Sequence, residues 1–416
     1  MFTKIKECSF TLNKKLVLFT GGFPYGSGET FLETELPYLS EAFEEVIIVA
    51  SNNGNNQKRE VPQNCEVRRI DLSYSTSMRL KSLKGIFSSV YREELSVIKS
   101  IYRRSVSKGM ISTALVSLER GKLVAKYIQE HFSKELNKTV FYSYWCDDAA
   151  LGIALAHSQN NAVKGVCRIH RWDVYFEESA VNYLPFRHFI GYHLKKIYSI
   201  SQDGIEYAVD RWKVNRSHFE LSRLGIDNDH GPVQPKVDGV FRIVSCSNLI
   251  RVKRVGLIAD ALQEITDHRI EWTHIGNGPL REDLEEKVKM LQENITVNLV
   301  GRLPNKEVYE LYESICPDLF INVSSSEGVP VSIMEAMSYG IPVLATDVGG
   351  NGEIVNKENG SLISMNTDRK LLAREIRSMT EQEDLTDCAK AAHSKWLEQY
   401  SGSKNYQKFS DELRRI

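Results

Sequence analysis

The sequence predicts an α/β protein built from two doubly wound parallel sheets. Three observations carry this expectation. Short apolar runs alternate with longer helical patterns along the chain, as they do where parallel strands are covered by helices. The runs fall into two sets of six. Between the sets lies a Pro- and Gly-rich stretch, 229–239, that reads as a linker. A length of 416 residues gives each domain enough chain for its own core.

Taken in order, the first six strands are expected at 16–20, 46–50, 140–143, 166–169, 196–199 and 218–221. The second six are expected at 241–246, 271–275, 295–300, 319–323, 343–346 and 361–363. Each centres on β-branched, aromatic or leucine side chains and is bounded by turn residues. The first domain is drawn at 1–232 and the second at 240–394. The tail 395–416 is aromatic and helical in pattern.

Apolar content of 42% and charged content of 26% are ordinary for a globular protein. A net charge of −1 gives no reason to expect nucleic acid as a partner. The seven cysteines are scattered and contain no Cys-x-x-Cys, which suggests buried thiols in a reducing cytoplasm and neither a disulfide frame nor a zinc site. No apolar run approaches the roughly 18 residues of a membrane span. Residues 1–7 lack a signal-peptide core.

One stretch, 79–126, holds eleven Lys or Arg against three Glu, with Leu80, Leu83, Ile86, Phe87, Val90, Leu95, Ile98, Ile101 and Tyr102 interleaved at helical spacing. Two readings fit it: a basic amphipathic surface for an anionic membrane, or a solvated face over the domain core.

In open α/β sheets, ligands bind at the carboxyl ends of the strands. The chemically distinctive residues of this chain fall there repeatedly. Gly21, Gly22 and Gly26 follow the first strand, and His170 follows the fourth. Ser247, Gly276, Gly301, Glu327 and Gly349 follow strands of the second set. Two such edges facing one another would make a cleft. The glycine loop is neither a Walker loop, lacking Gly-Lys-Ser/Thr, nor a dinucleotide fingerprint, since its glycine spacing differs.

The run from Ser325 to Gly340 says most. Glu327 and Glu335 stand with seven residues between them, and Gly328, Val329 and Pro330 follow the first. Pro330 suits the first position of a helix, where its missing N–H costs nothing. The amides of Val331 and Ser332 would then point out of a helix N-terminus, a ready phosphate site. Gly349-Gly350 follows the next strand.

This run resembles the donor-sugar site of retaining nucleotide-sugar glycosyltransferases of family 4 (glycosyltransferases group 1), which have the GT-B fold. The likeness spans nearly the whole chain and is strongest from Arg242 to Ile354. It implies two Rossmann-like domains facing across a cleft, with the final helix crossing back onto the first. It implies Glu335 as the acceptor for two ribose hydroxyls and Glu327 as the residue that meets the sugar. Ser247, Gly276, Arg302, Leu303, Gly328, Val329, Pro330 and Val331 complete the implied donor set, with Gly22 and Gly26 from the first domain. Lys253 matches the family's lysine, which neutralises the departing diphosphate. The family's arginine at position 248 is replaced by Asn248, so Arg254 or Arg251 is left to supply a second charge. His170 matches a histidine that many members carry near the donor sugar.

The implied activity is transfer of a hexose from a UDP- or GDP-sugar to a glycan or lipid-linked acceptor, by front-face attack within an ion pair. No metal or other cofactor is expected. Asp227-Asn228-Asp229 spells Asp-x-Asp but reads as an Asp/Asn turn. The expected place is the cytoplasm, with the inner membrane face as a further option through 79–126. Two other activities share the fold: a nucleotide-sugar epimerase or a phosphorylase, and a non-catalytic glycan-binding subunit.

Overall fold

The computed structural model describes residues 14–26, 28–51, 58–381 and 385–416. Residues 1–7, Cys8 and Ser27 of the glycine loop lie outside them. The chain divides into two compact units, Met1–Leu224 with Gly402–Ile416, and Gly225–Ser401.

The first unit contains β1 (Lys15–Thr20), β2 (Glu45–Ala50), β3 (Cys65–Arg69), β4 (Thr139–Ser143), β5 (Lys164–Ile169), β6 (Lys196–Ser199) and β7 (Phe219–Leu221). They form one parallel sheet in the order β3-β2-β1-β4-β5-β6-β7. The second contains β8 (Phe241–Cys246), β9 (Ile270–Ile275), β10 (Ile295–Gly301), β11 (Leu319–Asn322), β12 (Val343–Thr346) and β13 (Gly360–Ile363). Their order is β10-β9-β8-β11-β12-β13, all parallel. Each sheet reverses direction beside its first strand, the doubly wound pattern whose ligand crevice lies at the carboxyl edge.

All twelve expected strands are present, and β3 is added. It was missed because Cys65-Glu66-Val67-Arg68-Arg69 has no apolar run. It is an edge strand, half exposed along its length, and needs only one pairing partner. Central strands are buried on both faces, as with β4, and their continuous apolar runs made them legible.

The expected linker is part of the second unit. Asn228 Nδ2 donates to Ser338 O (3.0 Å), Val233 N to Tyr339 O (2.9 Å) and Lys236 Nζ to Ser314 O (2.7 Å). Arg242 pairs with Asp238. These contacts carry the unit boundary back to Leu224. The tail is two helices, Thr386–Gln399 and Gly402–Arg415, and only the latter returns to the first unit. Its Phe409 packs edge-on against Tyr142 and Tyr198, at 5.3 and 4.9 Å. The Arg168 guanidinium lies 4.1 Å from the Phe409 ring centroid and makes a wholly buried ion pair with Glu35.

The basic stretch is not one amphipathic helix. It is broken into helix Thr76–Ser82, a tight turn Leu83–Phe87, helix Ser89–Ser96, a wide turn Val97–Ile101 and the start of helix Lys108–Phe132. Ile98 is buried, and Val90, Leu95 and Tyr102 pack on the core. Leu80, Leu83, Ile86 and Phe87 stay exposed. The long helix Lys108–Phe132 packs on Asp148–Gln159 through glycines. A Cβ at Gly152 would lie 2.3 Å from that of Val124. Among the described residues, no helix is long and apolar enough to cross a membrane.

Candidate functional site

In the second unit the chain leaves β11 at Asn322 and turns through Ser324 to Glu327. Glu327 is buried, and three donors converge on its Oε1: Lys253 Nζ at 2.5 Å, Ser324 Oγ at 2.6 Å and Asn322 Nδ2 at 3.2 Å. Lys253 comes from the turn Arg251–Lys253 that follows β8. Ser325 N donates to Val252 O (2.8 Å), which fastens the two loops together. Gly349-Gly350, after β12, lies directly beneath. Gly349 has φ +52°, and a Cβ there would stand 2.0 Å from Glu327 O. Gly350 N donates to Gly328 O (2.7 Å). The glycine pair thus shapes the Glu327 loop by letting backbone meet backbone.

Helix Val331–Ser338 begins one residue later than expected, with Pro330 extended in the cap position. The amides of Val331 and Ser332 have no intrahelical partner by position. Glu335 is buried inside the helix, with the Tyr309 hydroxyl 3.4 Å from its Oε1. Burial pushes its carboxyl up to about 7, against the hydrogen bond from Tyr309.

The cations around this loop have separate partners. Arg254, at φ +50°, donates from Nε to Val323 O and from Nη1 to Met365 O, both at 2.7 Å. Its Nη2 is buried without a protein partner, and burial lowers its pKa. Arg251 is exposed. Arg302, after β10, reaches Asn248 with Nη2 3.2 Å from Oδ1. A guanidinium therefore does stand at position 248, and it comes from Arg302. The carboxyl ends of β8, β9 and β10 are stitched by Ser247 N to Ile275 O (2.9 Å) and Gly276 N to Gly301 O (2.7 Å). Gly276 is required here: its φ is +145° and a Cβ would lie 1.9 Å from Ser247 O. Leu303 follows, half-buried.

The first unit holds Gly22, Gly26 and His170. Its loop amides are taken up within the unit. Glu29 Oε1 accepts from Gly21 N and Trp145 Nε1, both at 2.7 Å, and Oε2 accepts from Gly22 N (2.7 Å) and Phe23 N (2.6 Å). Gly26 takes φ +70° in the same loop. His170 lies between Tyr144 and Trp145, at 4.7 and 4.3 Å between ring centroids. Both its ring nitrogens are buried without a hydrogen bond, and Nδ1 is 3.8 Å from Asp173 Oδ2. Asp173 is wholly buried. Burial opposes its charge, but the nearby His170 ring and the amides of Cys146 and His170 hold its carboxyl below the usual range.

Sequence reasoning missed Glu29, Trp145, Asn322 and Ser324. Glu29 had a signal, as the one carboxylate in a glycine loop. Asn322 had one too, as an amide on an otherwise apolar buried strand. Asp227-Asn228-Asp229 forms a turn in which His230 N donates to Asn228 Oδ1 (2.8 Å).

The chain that carries this Lys–Glu pair and the second glutamate has relatives in sequence and in fold. Residues 228–395 match the family model of glycosyl transferases group 1. The matched group 1 segment takes in Asn248, Lys253, Glu327 and Glu335 together. Over its whole length the chain is similar to the amylovoran biosynthesis glycosyltransferase AmsK of Erwinia amylovora, at 22% identity over 97% of this chain and 100% of the relative. It is 25% identical to the putative colanic acid biosynthesis glycosyltransferase WcaL of Escherichia coli, over 43% of this chain and 47% of that one. Among solved structures, Anabaena HepE in complex with UDP aligns with a TM-score of 0.67 at 16% identity, covering 97% of this chain and 100% of that one. The lipopolysaccharide outer core galactosyltransferase WaaB aligns with a TM-score of 0.68 at 13% identity, over 96% and 98%. At these identities the structural likeness establishes the fold, two Rossmann-like units of the GT-B kind.

Proposed function

We propose that the chain is a retaining glycosyltransferase of family 4 type. It moves a hexose from a UDP- or GDP-sugar to a glycan or lipid-linked acceptor in cell-surface polysaccharide biosynthesis. The observation that carries this is the Lys253–Glu327 pair, held at 2.5 Å on the carboxyl edge of the second sheet. Glu335 lies on the helix whose N-terminus the same loop feeds. A departing nucleoside diphosphate needs cations and oriented amides, and Lys253, Arg302 and the amides of Val331 and Ser332 supply them. Glu335 supplies a carboxylate, whose two oxygens can accept from two ribose hydroxyls. Glu327 faces the sugar as its anomeric carbon gains oxocarbenium character. The AmsK and WcaL names support a role in exopolysaccharide assembly, and the UDP bound to HepE supports the donor class.

The test is a panel of UDP- and GDP-sugars. One should raise the melting temperature and, with a polysaccharide-repeat or lipid-linked acceptor, yield a product of unchanged anomeric configuration by NMR. EDTA should leave transfer intact. A panel with no stabilising member would sink the proposal. Inverted product would remove the retaining mechanism, and activity lost on chelation but restored by Mn²⁺ would remove the metal-free one.

A further inference from the structure

We propose that the first unit carries a binding pocket for an uncharged pyranose, built on Trp172, Tyr74 and the Asp148–Arg120 pair, and that it holds the acceptor sugar. The cavity has a volume of about 480 Å³ and lies wholly within this unit. That volume is within the usual range for small-molecule sites, roughly 300–1,000 Å³. It opens at the carboxyl edge of the sheet: Tyr74 follows β3, Asp147 and Asp148 follow β4, and Trp172 follows β5. Ligands of doubly wound sheets bind at that edge.

The lining fits a sugar in two respects. Trp172 is 46% exposed and Tyr74 is 61% exposed, although both rings line a cavity. An aromatic face left open beside polar groups suits the C–H face of a pyranose. Hydroxyls both donate and accept, so they need acceptors and donors side by side. Asp148 provides carboxylate oxygens, already oriented by Ser117 Oγ at 2.5 Å and Arg120 Nη1 at 3.1 Å. The Arg120 guanidinium sits 6.0 Å from the Tyr74 ring centroid, which holds ring and ion pair as one wall. Asp147 is fixed as the helix cap by Ala149 N at 2.9 Å.

The charge balance argues against a phosphate. Arg120 is matched by Asp148, and Arg187 donates to the backbone oxygens of Asp173 and Pro185. The lining holds two arginines, Arg120 and Arg187, against two aspartates, Asp147 and Asp148, so its formal charges cancel. The link to catalysis is through contact: Trp172 packs on Trp145 at 5.1 Å, and Trp145 packs on His170 and donates to Glu29.

The sugar site stands on these contacts alone, whereas its role as acceptor site rests on the transferase reading. The probes are the methyl glycosides of glucose, galactose, mannose and N-acetylglucosamine, added to the full chain and followed by saturation-transfer NMR. At least one should receive saturation at its ring C–H groups. Trp172→Ala and Tyr74→Ala should each weaken that binding by about fivefold or more, the effect of losing one aromatic contact. Trp172→Phe should recover most of it, and UDP binding should not change. Both rings are largely exposed, so neither variant threatens the fold. No transfer to any glycoside, or transfer that survives both alanine variants, overturns the site. Displacement of the glycoside by a UDP-sugar but not by UDP would place the donor's sugar there and overturn the acceptor assignment. Trp172-dependent glycoside binding in a protein that binds no nucleotide would overturn the transferase reading, and the acceptor role with it, while the sugar site would stand.

Discussion

Glu335 and Glu327 are both buried, yet their surroundings differ in kind. Glu335 has one long hydrogen bond from Tyr309, and burial raises its carboxyl to about 7. Glu327 has three donors, one of them an ammonium. Glu335→Ala should therefore cost nucleotide affinity: a charge-assisted hydrogen bond is worth about 1.5–3 kcal/mol, so calorimetry should show a loss of at least about tenfold. The ionised carboxylate is the better acceptor for ribose hydroxyls. Wild-type affinity should accordingly rise from about pH 6 to about pH 8, and the Ala variant should lose that slope. Affinity that is flat in pH would remove Glu335 from the ribose. Glu327→Ala should leave nucleotide binding within a few-fold and cut turnover severely, because the role proposed for its carboxylate is toward the sugar and not the nucleotide. Near-normal turnover in a folded variant would show that the Lys253 pair is structural.

At the scale of elements, the segment 79–87 stands apart. Leu80, Leu83, Ile86 and Phe87 are 64%, 51%, 48% and 85% exposed, with Arg79 just before them and Lys81 and Lys84 between them. Singly exposed apolar residues are ordinary, but four within eight positions of a basic helix and turn form a patch. The rest of the basic stretch feeds its apolar side chains into the core, so any membrane docking belongs to this piece alone. Leu80→Glu with Phe87→Glu should abolish sedimentation with anionic vesicles and leave nucleotide affinity untouched. Each surface cation adds about 1 kcal/mol, screened by salt, so wild-type binding should also fall as salt rises. Equal partition onto neutral and anionic vesicles, or none onto either, would leave a solvated face.

The whole molecule should respond to pH through its buried carboxyls. Burial raises Glu94, Asp147 and Glu335 each to about 7. A carboxyl whose folded pKa exceeds its unfolded value takes up protons on folding. Its contribution is complete below the unfolded value near 4 and is lost as pH rises through the folded value. The melting temperature should thus fall between about pH 5 and about pH 8. Glu94 is the cleanest probe. Its Oε1 accepts from the Tyr183 hydroxyl and from Phe186 N, while Oε2 is buried without a partner. Glu94→Gln removes the titration and keeps the acceptor, so it should flatten the dependence and stabilise the protein most at high pH. A variant with an unchanged pH slope in thermal melts would contradict the assignment.

The sequence by itself determined the two sheets and named most of the residues proposed for the site. Central parallel strands are buried on both faces and must be apolar throughout, so their runs are visible without a structure. Glycines that admit close backbone approach, such as Gly276 and Gly349, are visible as types, though not what they approach. Only the tertiary structure decided the partnerships. It set Arg302 on Asn248, gave the loop amides of Gly21 and Gly22 to Glu29, and split the basic stretch into a buried part and an exposed one. The edge strand β3 and the pocket of Tyr74, Asp148 and Trp172 belong with these. The reason is physical: burial of a run is a local requirement that each strand must meet in its own residues. A hydrogen bond or a shared cavity depends on where strand ends far apart in sequence are brought by the order of the sheet.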